Sequence, residues 1–214
     1  MLKPQVKISA SQTQRQHNKT SHAAMYARTL GVLPSIYIRE WDVSSYRVYS
    51  TTIHELAHAA HWDMDRGAFR ELVKKAYDIP TNASNSKSYV AVIESWPEGV
   101  EWYFTTNRYK KYLNQNSFVY MDNYQYRILP NYSSDDFYKT YTSIIIDLMD
   151  NFNQSVKYGR WYPVDRVKGY TIKQIESALK GARSWNKFRD RIKNINSSNN
   201  DDDEIDELFA NWHK

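Results

Sequence analysis

The chain contains no cysteine. Neither a disulfide framework nor a thiolate-held metal can form, so any metal must be taken by imidazole and carboxylate. No apolar run approaches the ~18 residues needed to span a bilayer. The opening, Met1-Leu2-Lys3-Pro4, has none of the apolar core of a signal peptide, and a soluble chain is expected. Internal repeats are absent. No short block dense in Lys and Arg occurs either, which argues against nucleic acid as a partner.

What is present fits one globular domain. The 214 residues match the usual size of roughly 100–200 residues per domain, and 41% hydrophobic with 25% charged residues is ordinary for a soluble fold. The aromatic content is high, with 18 Tyr and 7 Trp, which suits a core and clefts lined by rings with a polar tip. A net charge of +5 hides an asymmetry: Asp201, Asp202, Asp203, Glu204, Asp206 and Glu207 crowd the C-terminal end, and residues 1–200 hold 28 basic against 18 acidic side chains. A solvated basic surface offset by an acidic tail accounts for this.

Residues 1–20 are polar and aperiodic and are expected to be a lead-in. The domain then runs from 21 to 195, with its N-terminal part, 21–112, followed by a helical part, 113–195. A short helix is expected from His22 to Leu30, and a strand over Ser35–Arg39 from its alternation after Pro34. Tyr49–Lys75 reads as helix with a break near Asp65-Arg66-Gly67. Tyr89–Tyr112 reads as one long helix despite Pro97 and Gly99 inside it. Residues 113–134 are expected to mix loop and a short hairpin, and Ser134–Asn151 to return to helix. Thr171 and Gln174 form a capping-box pattern for a helix from Ile172 to Lys180 that stops at Gly181; Ser184 caps another, Trp185 to Asn194. Residues 196–214 read as an acidic linker and a short helix, Glu204–Trp212, with Ile205, Leu208, Phe209 and Trp212 on one side.

The segment His54-Glu55-Leu56-Ala57-His58 carries the chemistry. Four residues of spacing bring two imidazoles onto one helix face, one turn apart, where both reach a single ion. Glu55, about 100° further round, is not a ligand but stands beside the ion, placed to act as general base. His54, His58, His61 and Asp65 share a stripe opposite Ile53, Leu56, Ala57, Ala60 and Met64, so the helix is expected to bury an apolar back and turn an imidazole front to a cleft. Three ligands on one straight helix rarely surround an ion. His61 is therefore expected to support the ligands or face substrate, with a plain structural role as the alternative. Thr52 with Glu55 also fits a capping box, in which Glu55 would only bond back to Thr52.

A catalytic zinc usually takes three protein ligands and keeps one open position. Glu94, Glu98 and Glu101 recur at helical spacing in an aromatic segment downstream. His-Glu-x-x-His followed by a glutamate on a second helix resembles the gluzincin branch of zinc metallopeptidases. Glu94-Ser95-Trp96-x-x-Gly99-Val100-Glu101-Trp102-Tyr103 looks like uncharacterised exported bacterial members. The resemblance covers roughly residues 35 to 110. A metzincin would need Gly at 61 and His at 64, where His61 and Met64 stand.

The resemblance implies one zinc ion per chain held by His54, His58 and Glu94. Glu98 is the alternative third ligand in a second alignment, although Pro97 disturbs the helix directly before it. It implies an α+β fold, predominantly α-helical and zincin-like, with a small edge-strand sheet next to the active-site helix and a helical C-terminal half. Ser35–Arg39 would be the strand beside the cleft and Tyr141 a candidate oxyanion donor. The activity implied is peptide-bond hydrolysis with Glu55 as general base, on a peptide or protein substrate. The alternative is a catalytically silent binding module of the same fold for peptide or glycan. Export or the cell surface is in keeping with the resemblance, with any targeting segment absent from the sequence as given.

Overall fold

Two helical patterns meet at Asp65. The computed structural model describes residues 7–11, 35–39, 45–78, 83–112, 124–133, 140–195 and 200–213. Helix α1 (Ser45–Met64) ends at Asp65, whose carboxylate accepts the Ala68 N–H at 3.0 Å and caps α2 (Arg66–Val73). That bond satisfies a donor the new helix leaves without an acceptor, so the expected break falls where the cap is. Because α1 starts at Ser45, Thr52 lies inside it and donates to the Val48 carbonyl at 2.7 Å. The capping-box alternative for Glu55 fails on that ground. Beyond α2 the backbone widens into a π-helical turn, Lys74–Asp78, a geometry found often at functional positions.

Helix α3 (Ala83–Tyr109) runs 27 residues straight through Pro97. Residues 91–101 are buried without a gap, and packing on every side outweighs the one backbone donor the proline removes. Gly99 has its own cause. A Cβ there would stand 2.2 Å from Ile145 Cγ2, so α4 (Ile144–Met149) crosses α3 where only hydrogen fits.

Helix α4 is apolar on nearly all sides, with Ile144, Ile145, Ile146 and Leu148 buried at the centre of the molecule. It is shorter than the expected Ser134–Asn151. Residues 134–139 lie outside the described residues, and 140–143 are not helical because Thr142 is tied elsewhere. Its hydroxyl pairs with Ser95 Oγ on α3 at 2.8 Å and accepts the Ile144 N–H at 3.3 Å. The helix therefore begins only at Ile144.

The C-terminal half follows its sequence signals closely. Helices α5 (Gln154–Tyr158), α6 (Ile172–Leu179), α7 (Trp185–Ile195) and α8 (Asp202–Trp212) complete the chain. Thr171 and Gln174 cap each other's backbones at α6, Gly181 takes the left-handed φ of +81° that ends the turn after it, and Ser184 accepts the Lys187 N–H at α7. Ile205, Leu208, Phe209 and Trp212 of α8 enter the same core as α1 and α3, with Phe209 5.0 Å from Trp185. The acidic end is no free tail. Asp202, Asp203 and Glu204 occupy the first turn of α8, where the helix dipole favours them. Glu204 and Glu207 pair with Arg166, and Asp206 with Lys193 and Arg189.

The expected α+β class is overturned. Strands β1 (Lys7–Ser11) and β2 (Ser35–Arg39) form a single parallel ladder, Lys7 opposite Ser35 and Ser11 opposite Arg39. A lone pair of five-residue strands is not a sheet layer. The layer that α1 packs on is α3, and the core among the described residues is made by helices and their connections. The expected helix over His22–Leu30 and residues 113–123 of the expected loop lie outside the described residues. No helix among the described residues is long and apolar enough to cross a membrane.

Candidate metal centre

Helices α1 and α3 run antiparallel, as the order of their contacts requires: Tyr49 meets Tyr109, His54 meets Glu101, Ala57 accepts from Trp96 Nε1, and His58 meets Glu94. On each helix the polar residues recur at i, i+4 and i+7: His54, His58 and His61 on one, Glu94, Glu98 and Glu101 on the other. Those two stripes face each other.

His58 Nε2 lies 3.3 Å and His54 Nε2 3.6 Å from Glu94 Oε2. Ligand atoms of His54, His58 and Glu94 all lie within 4.8 Å of one another, the only such group among the described residues, and are positioned to bind a metal ion. Two imidazoles and a carboxylate around one point match the donor set of an open zinc site. Glu94, not Glu98, is therefore the glutamate that joins the histidines.

The ligands are held from behind. His54 Nδ1 bonds Glu101 Oε2 at 3.0 Å, which leaves Nε2 facing Glu94 and fixes the ring, and the Tyr124 hydroxyl donates to the other oxygen of Glu101 at 3.2 Å. Glu94 in turn accepts from the Tyr77 hydroxyl at 3.2 Å. Burial opposes charge on Glu94, yet His58 and His54 prevail and hold its carboxyl well below the usual range. Burial likewise disfavours a charged His54, but Glu101 and Glu94 raise it well above the ordinary imidazole value. The pocket is thus poised for positive charge, and a bound cation would take the place of that proton.

Glu98 has another function. It forms a buried ion pair with Arg127. Burial pushes its carboxyl up to about 8 against the pull of Arg127. Glu55 is buried on α1 and is not one of the three grouped ligands, as its place round the helix implies. His61 is fully buried with its ring edge-on to Phe69 at 5.0 Å, a packing position inside the core. Tyr141 lies against Glu94, and burial together with that carboxylate raises its phenol pKa.

The buried face of α1 is a correction. Its imidazole side lies inside, against α3, while of the expected apolar back Ala57 is buried, Ile53 and Met64 are half-buried against the core, Leu56 is half-buried and Ala60 is exposed. The carboxylates of α3 make the polar face the one that packs. Solvent reaches the group among the described residues past His54, 17% exposed at its side chain, and Tyr77, 47% exposed.

Glu101, Tyr77, Tyr124 and Arg127 had no role assigned from sequence. Glu101 left a signal, since it stands two turns from Glu94 on the same face. The others sit in the π-helical turn and in connecting segments, with no periodicity to mark them. No protein-family model matches the chain, and no curated protein or solved structure is significantly similar to it.

Proposed function

We propose that the protein is a zinc-dependent peptidase. The grouping of His54, His58 and Glu94, with Glu101 locking His54, carries this reading, and Glu55 follows His54 on the same helix. When bound, zinc supplies Lewis acidity that activates a water and polarises the scissile carbonyl. His54, His58 and Glu94 would hold it. Glu55 accepts the proton of the attacking water and delivers it to the leaving amine. The hydroxyls of Tyr77 and Tyr141, both against Glu94, are the described candidates to donate to charge developing on the substrate oxygen. The proposal rests on the site and not on the fold, because the helical architecture lends no analogy.

The test pairs metal analysis with cleavage. The full chain should carry one equivalent of zinc, lost in Glu94→Ala and kept in Glu98→Ala. Glu55→Gln should keep the zinc and lose at least ~100-fold in peptide cleavage, the order expected for a general base. Equal cleavage by Glu55→Gln and the native chain would overturn the mechanism. Bound zinc without hydrolysis of any member of a broad peptide library would leave a metal-containing binding module in its place.

A further inference from the structure

A second cluster of buried acids lies away from the α1–α3 centre, between α4, α5 and α8. Asp147 of α4 is fully buried. Its Oδ2 accepts from the Ser143 hydroxyl at 3.0 Å and its Oδ1 from Gln154 Nε2 at 2.7 Å. Gln154, the first residue of α5, also donates to the Gln125 carbonyl at 3.3 Å. Asp165, in the segment leading to α6, accepts the Val167 N–H at 3.1 Å through Oδ1. The segment that carries it is tied to both helices, the Ser155 N–H of α5 donating to the Pro163 carbonyl at 3.2 Å and the Tyr170 N–H to the Leu148 carbonyl of α4 at 3.0 Å.

Two acceptors are left over. Asp165 Oδ2 and Gln154 Oε1 are buried, on residues 4% and 0% exposed, and meet no donor among the described residues. The amide of Gln154 is anchored by its nitrogen on Asp147 and on the Gln125 carbonyl, which fixes where its unused oxygen stands. All the donors named here are neutral. Arg166, the nearest cation in sequence, turns instead to Glu204 and Glu207 on α8. Asp150 adds a third negative charge but has its own partners, the Phe152 N–H and Gln125 Nε2. Trp212 of α8 flanks Asp147.

Burying carboxylates without a counter-charge is costly, and idle buried acceptors add to that cost. A positive ion removes both penalties. The donors are carboxylate and amide oxygens only, with no nitrogen or sulfur, which is a hard-cation set. Calcium accepts six to eight oxygens in flexible geometry, whereas magnesium demands a near-ideal octahedron. We infer that Asp147, Asp165 and the Gln154 amide oxygen form a calcium site that ties α4, α5 and the segment before α6 together. The three aspartates do not close into a tight triad, so two carboxylates, one amide oxygen and water would complete the shell.

The test uses the full chain dialysed into calcium-free buffer at pH 8. Calcium chloride at about 100 times its Kd should raise Tm by roughly 5–10 °C, magnesium clearly less. Terbium should show luminescence sensitised by Trp212. Asp165→Asn should remove both responses, and Gln154→Glu, which adds a charged ligand, should lower the calcium midpoint several-fold. No calcium-dependent change in Tm, or equal responses from the native chain and both variants, would overturn the site. Peptide cleavage and zinc content should be unaffected by Asp165→Asn, which separates this site from the zinc reading.

Discussion

The molecule buries two groups of carboxylates and treats them in opposite ways. At the α1–α3 interface each glutamate of the stripe has a basic partner: Glu94 the two imidazoles, Glu98 the Arg127 guanidinium, Glu101 the His54 ring. Around α4, the partners of Asp147, Asp150 and Asp165 among the described residues are amide, hydroxyl, indole and backbone N–H groups, all neutral. A fixed basic partner opposes the cost of burying a carboxylate's charge, and at Glu94 it prevails. A carboxylate with neutral donors favours the protonated form or an incoming cation. The first group holds a ligand set in shape through its basic partners, even though burial pushes Glu98 up to about 8 against Arg127, while the second responds to what the solution supplies.

The sharpest way to break that comparison is to take away a basic partner. Arg127→Ala leaves Glu98 buried beside Glu94 and Glu101 without its guanidinium. Removing one member of a buried pair costs about 3–5 kcal/mol, and denaturant unfolding should register a loss of that size. Adding Glu98→Gln to Arg127→Ala should recover most of it, while zinc content stays at one equivalent in both. A loss below about 1 kcal/mol would mean that Glu98 does not depend on the pair.

A smaller effect sharpens the difference within the stripe. Glu101→Gln keeps the size of the side chain but weakens its hold on His54 Nδ1. Changing a residue that orients a metal-binding histidine typically lowers metal affinity 10–100-fold, about 1.4–2.7 kcal/mol. Competition with a chromophoric chelator should read this value, with stoichiometry still one at saturating zinc. Glu98→Gln should change the affinity much less. Equal effects would erase the distinction between the residue that orients and the residue that pairs with Arg127.

How much of this was readable in the sequence depended on distance along the chain. His54 and His58, and Glu94 with Glu101, lie within two turns of a helix, where spacing alone fixes which side chains share a face. The Thr171–Gln174 and Ser184 caps were legible for the same reason. Tyr77, Tyr124 and Arg127 reach their glutamates across 17, 23 and 29 residues from outside the α-helices, and no local pattern marks such a partner. The buried side of α1 was misread because an apolar stripe normally packs inward. Here Glu94, Glu98 and Glu101 make the imidazole side the interface, a property of α3 that α1 does not contain. The α+β expectation failed similarly, since alternation over Ser35–Arg39 marks a strand but not how many strands join it.

The last comparison concerns the cluster without a cation, and its sign is opposite to the ordinary carboxylate case. Burial first, then the neighbouring aspartates, push Asp147 to about 8 and Asp165 to about 10, and burial pushes Asp150 to about 6. In the unfolded chain each would titrate near ~3.9. Between these values the folded state holds protons that the unfolded state has lost, so stability is greatest at low pH and declines as pH rises through the folded values. The slope is about 1.4 kcal/mol per pH unit for each such proton. The groups facing the cluster, Gln125, Ser143, Gln154 and Trp212, do not titrate here, and Glu204 is paired with Arg166. In calcium-free buffer, Tm of the native chain should fall from pH 6 to pH 9. Asp165→Asn, which cannot ionise, should flatten that fall and melt above the native chain at pH 9. Because the histidine centre is unchanged in the variant, the difference between the two curves isolates the aspartates. Parallel curves would show that Asp165 does not exchange a proton on folding and would dissolve the contrast between the two groups.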